Sequence, residues 1–267
     1  MTNGYIVELE RLRVQLRDTL RLKGETIDDD ATLQELIPLV ANIDITQDFA
    51  SFCKGNEPFS IIDNEGLITS IRDSAFYNSA NNIDTLYLPK CEKVATRGFS
   101  TTSVKHLTIG TEIPNGVTCV LAVTSFMSCK QLEDIKGGVT SVSGIQTFDS
   151  CSALKVAEFD SLIAHDRTFP NCTSLKIIDM GNTTKICDSN SAWFGNCSSL
   201  LALVIRSDSV ASGVGANCLA YLSSIPNCKI YVKDELVEDY KSTNIWSTWA
   251  DRITPLSEYD RGAILNG

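Results

Sequence analysis

Phe126-Met-Ser-Cys-Lys-Gln-Leu132, Phe148-Asp-Ser-Cys-Ser-Ala-Leu154, Phe169-Pro-Asn-Cys-Thr-Ser-Leu175 and Phe194-Gly-Asn-Cys-Ser-Ser-Leu200 are variations on one line, Phe-x-x-Cys-x-x-Leu. Looser copies start at Phe76 and Phe99, and a degenerate last copy carries Cys228 ahead of Ile230-Tyr-Val232. The Phe-to-Phe steps are 23, 27, 22, 21 and 25 residues. Self-similarity at such a period decides the architecture before any local reading does, because one supersecondary unit is being stacked on copies of itself. After each Leu comes a short apolar stretch such as Leu175-Lys-Ile-Ile-Asp-Met180 or Leu200-Leu-Ala-Leu-Val-Ile205. Such lengths, rich in Leu, Ile and Val, suit one short strand per coil. Phe, Cys and Leu are then expected to form three ladders through the core, each coil burying its apolar face against its neighbours. Truncating a buried ladder Phe is expected to cost about 3–5 kcal/mol.

The steps fall in the roughly 20–29-residue range of leucine-rich repeats. The line itself resembles the BspA-like leucine-rich repeat family, in which Phe-x-x-Cys-x-x-Leu-x-x-Ile/Leu recurs at this period. The resemblance covers residues 60–232 and continues to about 250, where Ile230-Tyr-Val-Lys-Asp-Glu-Leu-Val-Glu-Asp-Tyr-Lys241 and Trp246-Ser-Thr-Trp249 look like that family's terminal cap. The 27- and 25-residue steps depart from the regular coil. The expected fold is an α/β repeat: a leucine-rich-repeat solenoid with short strands, preceded by an N-terminal helical segment and closed by a C-terminal helical cap. The expected division is a helical anchor or oligomerisation leader over 1–45, the solenoid over 46–232 and the cap over 233–267.

Bulk composition narrows the function. A formal charge of −10 argues against nucleic acid and anionic membrane surfaces, which need basic patches. No run of about 18 apolar residues exists for a transmembrane helix. Met1-Thr-Asn-Gly-Tyr-Ile-Val-Glu-Leu-Glu10 lacks a basic n-region and a long apolar h-region, so no secretory signal is expected. Cys129, Cys151, Cys172 and Cys197 share one repeat offset. That is where a small buried group is wanted, and they read as reduced structural thiols rather than a disulfide framework. No Cys-x-x-Cys pair exists and His106 and His165 lie far apart, so no metal site is expected. Neither a Ser/His/Asp set, a Gly-x-Ser-x-Gly elbow nor a Walker loop is present. Gly213-Val-Gly215 lacks the context of a dinucleotide site. Catalysis and cofactors are therefore not expected.

The ends carry their own signals. Ile6, Leu9, Leu16 and Leu20 fall on a seam interrupted by Arg13, and Gly24 ends the segment as a C-cap residue does. That stripe suits a short coiled coil or packing on a second helix or the first repeat. Thr32-Leu-Gln-Glu35 is a capping-box pattern ahead of Leu36, Ile37 and Val40, with Pro38 set to kink or end the helix. This leader resembles the N-terminal segments of phage and prophage structural proteins of the fibre type. The resemblance implies a virion location, with residues 1–45 binding other virion proteins or a second copy.

Recognition is expected where repeats lengthen, because insertions in a solenoid map to loops on one face. These are Thr111-Glu-Ile-Pro-Asn-Gly116 and Asp188-Ser-Asn-Ser-Ala-Trp193. Trp193 is the named candidate for a contact with a host-surface glycan or protein; the alternative folds it back onto its coil. His165-Asp166-Arg167 and Asp28-Asp-Asp30 read first as solvated turns. The function expected is a non-enzymatic virion-associated attachment protein, the alternative a bacterial cell-surface adhesin or interaction scaffold. If the seam drives association, the full chain scatters light as an oligomer and a chain beginning at Phe49 as a monomer. A monomeric full chain would place the seam inside the fold.

Overall fold

The computed structural model describes residues 14, 17–18, 20–21, 27–32, 59–78, 83–188, 193–213 and 216–267. The chain divides into two compact units, Met1–Ser51 and Phe52–Gly267. In the first, Val14, Arg17, Asp18, Leu20 and Arg21 are helical. The acidic turn is tied to this helix: Arg21 Nη1 donates to Asp29 Oδ1 at 2.8 Å and Arg17 Nη1 to the Asp29 carbonyl at 2.7 Å. The hydrogen bond from Arg21 and its charge hold the Asp29 carboxyl below its usual range. Leu20 is fully buried; the other seam residues Ile6, Leu9, Arg13 and Leu16, and the second-helix pattern beyond Thr32, lie outside the described residues.

The second unit is built on a parallel ladder of short strands. β1 (Phe59–Ile62), β3 (Ile83–Leu88), β5 (His106–Ile109), β7 (Asp134–Val142), β8 (Val156–Ile163), β9 (Ile177–Asp179), β10 (Ala202–Val204), β11 (Lys229–Val232) and β12 (Ile253–Pro255) pair in that order. β2 (Ser70–Ile71), β4 (Lys93–Val94) and β6 (Cys119–Leu121) form a second, shorter ladder that joins β7. One strand per coil pairing with the equivalent strand of the next is what the Leu-plus-apolar pattern dictates. The inward row Leu86, Leu107, Ile135, Ala157, Ile178, Leu203, Ile230 and Ile253 is in register and buried throughout.

β7 reaches both ladders because it passes through Gly137-Gly138. A Cβ on Gly137 would lie 2.2 Å from the Phe159 ring, and one on Gly138 would lie 1.8 Å from the Gly110 carbonyl oxygen. Only glycine lets the neighbouring coils approach that closely.

The Phe ladder is a stack of parallel rings. Phe76, Phe99, Phe126, Phe148 and Phe169 succeed one another at centroid distances of 4.6, 5.4, 5.4 and 5.1 Å, with interplanar angles of at most 12°. Each Phe sits in a turn flanked two residues before and two after by left-handed backbone. The pairs are Ser74/Asn78, Arg97/Thr101, Thr124/Ser128, Gln146/Ser150 and Arg167/Asn171, all with φ between 51° and 61°. That geometry turns amides toward the next coil. Phe99 N–H donates to the Ser125 carbonyl, Phe126 to Thr147, Phe148 to Thr168 and Phe169 to Trp193, at 2.7–2.9 Å.

The Cys ladder has a polar role as well as a packing one. Sγ of Cys129, Cys151, Cys172 and Cys197 donates to the carbonyl of the Phe one coil earlier, at 3.2, 3.3, 3.1 and 3.0 Å. A small apolar body with one weak donor fits the slot, which is why the position selects Cys. Cys129, Cys151, Cys172 and Cys197 are buried free thiols, as their shared repeat offset implied, and Cys91, Cys119 and Cys228 are buried free thiols too. Burial pushes Cys91 up to about 11 and Cys119 and Cys228 to about 12, and Cys197 well above its ordinary value.

These thiols are buried in the stacked coils, out of reach of a bulky reagent, so at pH 8 the native protein should leave them unlabelled by an aromatic disulfide reagent. Denaturant without reductant should make most of the ten cysteines react. Finding four or five disulfides in the denatured chain would overturn the ladder assignment.

Candidate functional site

The outer side of the parallel ladder is divided in two. Two outward rows run across the coils in register. One is Thr85, His106, Asp134, Val156, Ile177 and Ala202; the other is Tyr87, Thr108, Lys136, Glu158, Asp179, Val204 and Tyr231. In the early coils these side chains are polar and accessible. In the later coils Val156, Ile177, Ala202, Val204 and Tyr231 are buried although they point outward.

What buries them is the C-terminal segment. After β11 come α1 (Val237–Ser242) and α2 (Asn244–Ser247), then β12, a 3₁₀ turn at Leu256–Glu258 and α3 (Arg261–Asn266). Leu256, Tyr259, Ile264 and Leu265 pack on the outward apolar rows. Polar contacts fix the segment at its edges. Arg261 makes a two-pronged contact with Glu158 at 2.6 and 3.2 Å. Lys176 Nζ donates to the Leu265 carbonyl at 3.1 Å. Asp260 caps α3 by accepting from Ala263 N–H at 2.9 Å. Asp179, nearly buried beneath, accepts from Arg206 at 2.7 and 2.9 Å, and that guanidinium lies 5.7 Å from the centre of the Tyr259 ring. Burial, and secondarily the nearby Asp179 and Glu158, push the Tyr259 phenol up to about 12. The other C-terminal helices lie against the last coil: Tyr240 Oη accepts from Ala211 N–H and Trp246 Nε1 donates to the Ala211 carbonyl, each at 2.8 Å.

The open half is a mosaic of both charges. His106 Nδ1 and Asp134 Oδ2 lie 2.5 Å apart across β5 and β7. Lys105 pairs with Asp84 at 3.0 Å and Lys155 with Glu133 at 2.7 Å. Tyr87 donates to Glu112 of the Thr111–Gly116 loop at 3.2 Å. Such exposed pairs add little to stability; their value is the pattern they present. Where this half meets α3, a groove of about 850 Å³ opens, lined by Thr108, Asp134, Lys136, Glu158, Arg261 and Leu265 among others. A His–Asp pair is two members of a nucleophilic triad, but its neighbour in the row, Thr85, directs its hydroxyl to Asp84 at 3.3 Å. The arrangement holds charges in register rather than activating a nucleophile. Among the described residues no group of three His, Cys, Asp or Glu side chains is placed to hold a metal ion.

The residues singled out in the sequence fall as follows. Trp193 is fully buried, 6.3 Å from Phe169 and edge-on to Phe194 at 4.6 Å, so in this conformation its ring presents no surface to a partner. It folds back because the 25-residue step puts two aromatic residues at the head of this coil, and Trp193 takes the place next to Phe169 in the stack. Residues 189–192 of its loop lie outside the described ones. His165 is locked into its turn, its N–H donating to Thr168 Oγ1 at 2.9 Å and its carbonyl accepting from that hydroxyl at 2.8 Å. The Thr111–Gly116 loop is largely exposed. The C-terminal cover went unread in the sequence, though a signal was there. Ile177-Ile178 and Leu201-Ala-Leu-Val204 are continuous apolar runs, the mark of strands buried on both faces.

The model of the BspA type leucine rich repeat region, with six copies, matches residues 46–165 and 108–226, and the chain belongs to that family. Repeats of this class imply a protein-interaction or adhesin-like role, and such scaffolds are typically non-enzymatic. No curated protein sequence matches the chain. Among solved structures, human 5T4 (Wnt-activated inhibitory factor 1, trophoblast glycoprotein) is similar over 78% of this chain and 86% of its own, at 11% identity and a TM-score of 0.27. A likeness of that size bears on neither mechanism nor partner.

A chain ending after Pro255 should keep its strands by circular dichroism, bind a hydrophobic dye strongly and lose at least about 2 kcal/mol of stability, because the outward apolar rows are uncovered. Unchanged dye binding would show that these rows are buried by something else.

Proposed function

We propose that this is a non-enzymatic recognition protein of adhesin or scaffold type, and that its partner docks on the open half of the ladder's outer face. The observation that carries this reading is the division of that face. One half is closed over by the chain's own C-terminal segment, while the rows Thr85, His106, Asp134 and Tyr87, Thr108, Lys136 are left accessible and in register. A partner meeting these rows finds alternating charges and hydroxyls on a rigid backbone, which favours a complementary polar protein surface over an apolar one. In the same reading residues 233–267 close the last coil, as a solenoid's exposed end requires.

A particle-borne version of this role, with residues 1–45 as the anchor and a host surface as the target, rests on the pattern of the leader. Detection of the protein in purified virions would support it, and its exclusive recovery from bacterial cell surfaces would favour the adhesin.

The docking face is tested with beads carrying the full chain, incubated with cell-surface protein extracts. Lys136→Glu and Tyr87→Ala should each weaken the captured interaction about tenfold or more while leaving the melting temperature within a few degrees of wild type. Binding unaffected by both substitutions would move the docking surface off this face.

A further inference from the structure

A second concavity lies on the ridge of Phe turns, away from the sheet face. It encloses about 470 Å³ and is lined by Asp149, Asp166, Arg167, Asn171, Asn196 and Tyr221 among others, a volume within the roughly 300–1,000 Å³ of small-ligand sites. The repeat explains its position. The residue after the ladder Phe carries a side chain along this ridge in Tyr77, Met127 and Asp149, but is Gly195 in the last full copy. A Cβ there would stand 3.0 Å from Tyr221 Cε2 and 3.1 Å from Cζ. The missing side chain lets the Tyr221 ring from the 3₁₀ segment Ala216–Ser224 lean over the ridge, where it is 44% exposed.

The floor is a directed chain of amides. Asp149, 9% exposed, accepts from Gln146 Nε2 at 2.9 Å, Ser150 Oγ at 2.8 Å and Asn171 Nδ2 at 3.0 Å. A carboxylate only accepts, so Asn171 must turn its NH₂ toward Asp149 and its oxygen away. That oxygen accepts from Asn196 Nδ2 at 3.0 Å. The orientation of both amides is therefore fixed, and Asn196 Oδ1 is left as a positioned acceptor at the end of the chain. Both Asn residues occupy the left-handed turn position, with φ of 59° and 60°, which Asn tolerates better than most residues. At the rim Asp166 and Arg167 stand 3.8 Å apart and add an acceptor and donors.

We infer that this concavity is a binding site for a neutral sugar ring at the end of a glycan. Sugar hydroxyls donate and accept at once, which matches fixed amides beside a carboxylate and a guanidinium, and the apolar C–H face of the ring matches an exposed tyrosine. Two carboxylates against one guanidinium disfavour sialylated and sulfated termini. The site is independent of the docking face proposed above.

The test is an array of immobilised glycans with neutral hexose or N-acetylhexosamine ends beside sialylated and sulfated ones, probed with the labelled full chain. The expected result is binding to neutral ends, weakened about tenfold by Tyr221→Ala and largely retained by Tyr221→Phe. Lys136→Glu should leave it unchanged. Should Tyr221→Ala lower the melting temperature, Arg167→Ala at the exposed rim serves instead, with a severalfold loss expected. Absence of neutral-glycan binding, binding confined to anionic glycans, or wild-type binding by both Tyr221→Ala and Arg167→Ala overturns the assignment.

Discussion

Each Phe turn holds two residues in the left-handed region so that its amides meet the carbonyls of the following coil, and the remaining structure depends on that reach. Left-handed backbone costs an L-residue roughly 1–2 kcal/mol, and Arg97, Thr124, Gln146 and Arg167 have no Asn-like relief. An isolated coil would carry this strain without a partner for its amides. Stacking supplies the partner, buries the Phe against its equivalents and closes the carbonyls of Phe99, Phe126, Phe148 and Phe169 with a thiol from the next coil. Strain and compensation belong to different coils, so the coils fold together or not at all, as nearest-neighbour coupling in solenoids requires.

The regularity breaks at three places. Gly137-Gly138 lets β7 run on into the second ladder, bringing neighbouring coils into close backbone contact. Trp193 ends the run of parallel rings with a tilt of 59°. Gly195 removes a ridge side chain and admits Tyr221. None of these costs the inward row its register, so the core tolerates variation at its corners while the strands stay aligned.

The fold was legible because a repeat states the same constraint several times. Phe, Cys and Leu at fixed offsets require one slot per coil, and the buried ladders follow. Trp193 was ambiguous in the sequence since a tryptophan before a ladder Phe suits either a loop contact or the stack, and only the ring's neighbours distinguish them. The cover over the late strands was missed for a different reason. Its residues, Leu256, Tyr259, Ile264 and Leu265, lie up to 109 positions (Leu265 to Val156) from the strands they protect and share no period with them. Long-range contact between a repeat and a non-repeating segment leaves only an indirect mark, here the two-sided apolarity of β9 and β10. The amide chain from Asp149 to Asn196 was half visible, since Asn recurs two residues after Phe169 and Phe194. Its direction depends on Asp149 standing at the end, one coil earlier and one position before.

The two halves of the outer sheet face differ in the kind of partner they suit. The late half is apolar and already satisfied by α3, whose ion pair with Glu158 sits at the boundary. The early half offers hydroxyls, His106, Asp134 and Lys136 in register. On the proposed docking of a partner there, complementary charge and hydrogen bonds discriminate between partners more than they add raw binding strength. Glu133, Asp134 and Glu158 alternate with Lys136, Lys155 and Arg261 around the same groove. A uniformly charged ligand therefore meets like charge along part of the groove, whereas a protein surface carrying both signs can match it. The chain's own C-terminal segment obeys that rule at the boundary, placing Arg261 on Glu158 and the α3 carbonyls on Lys176.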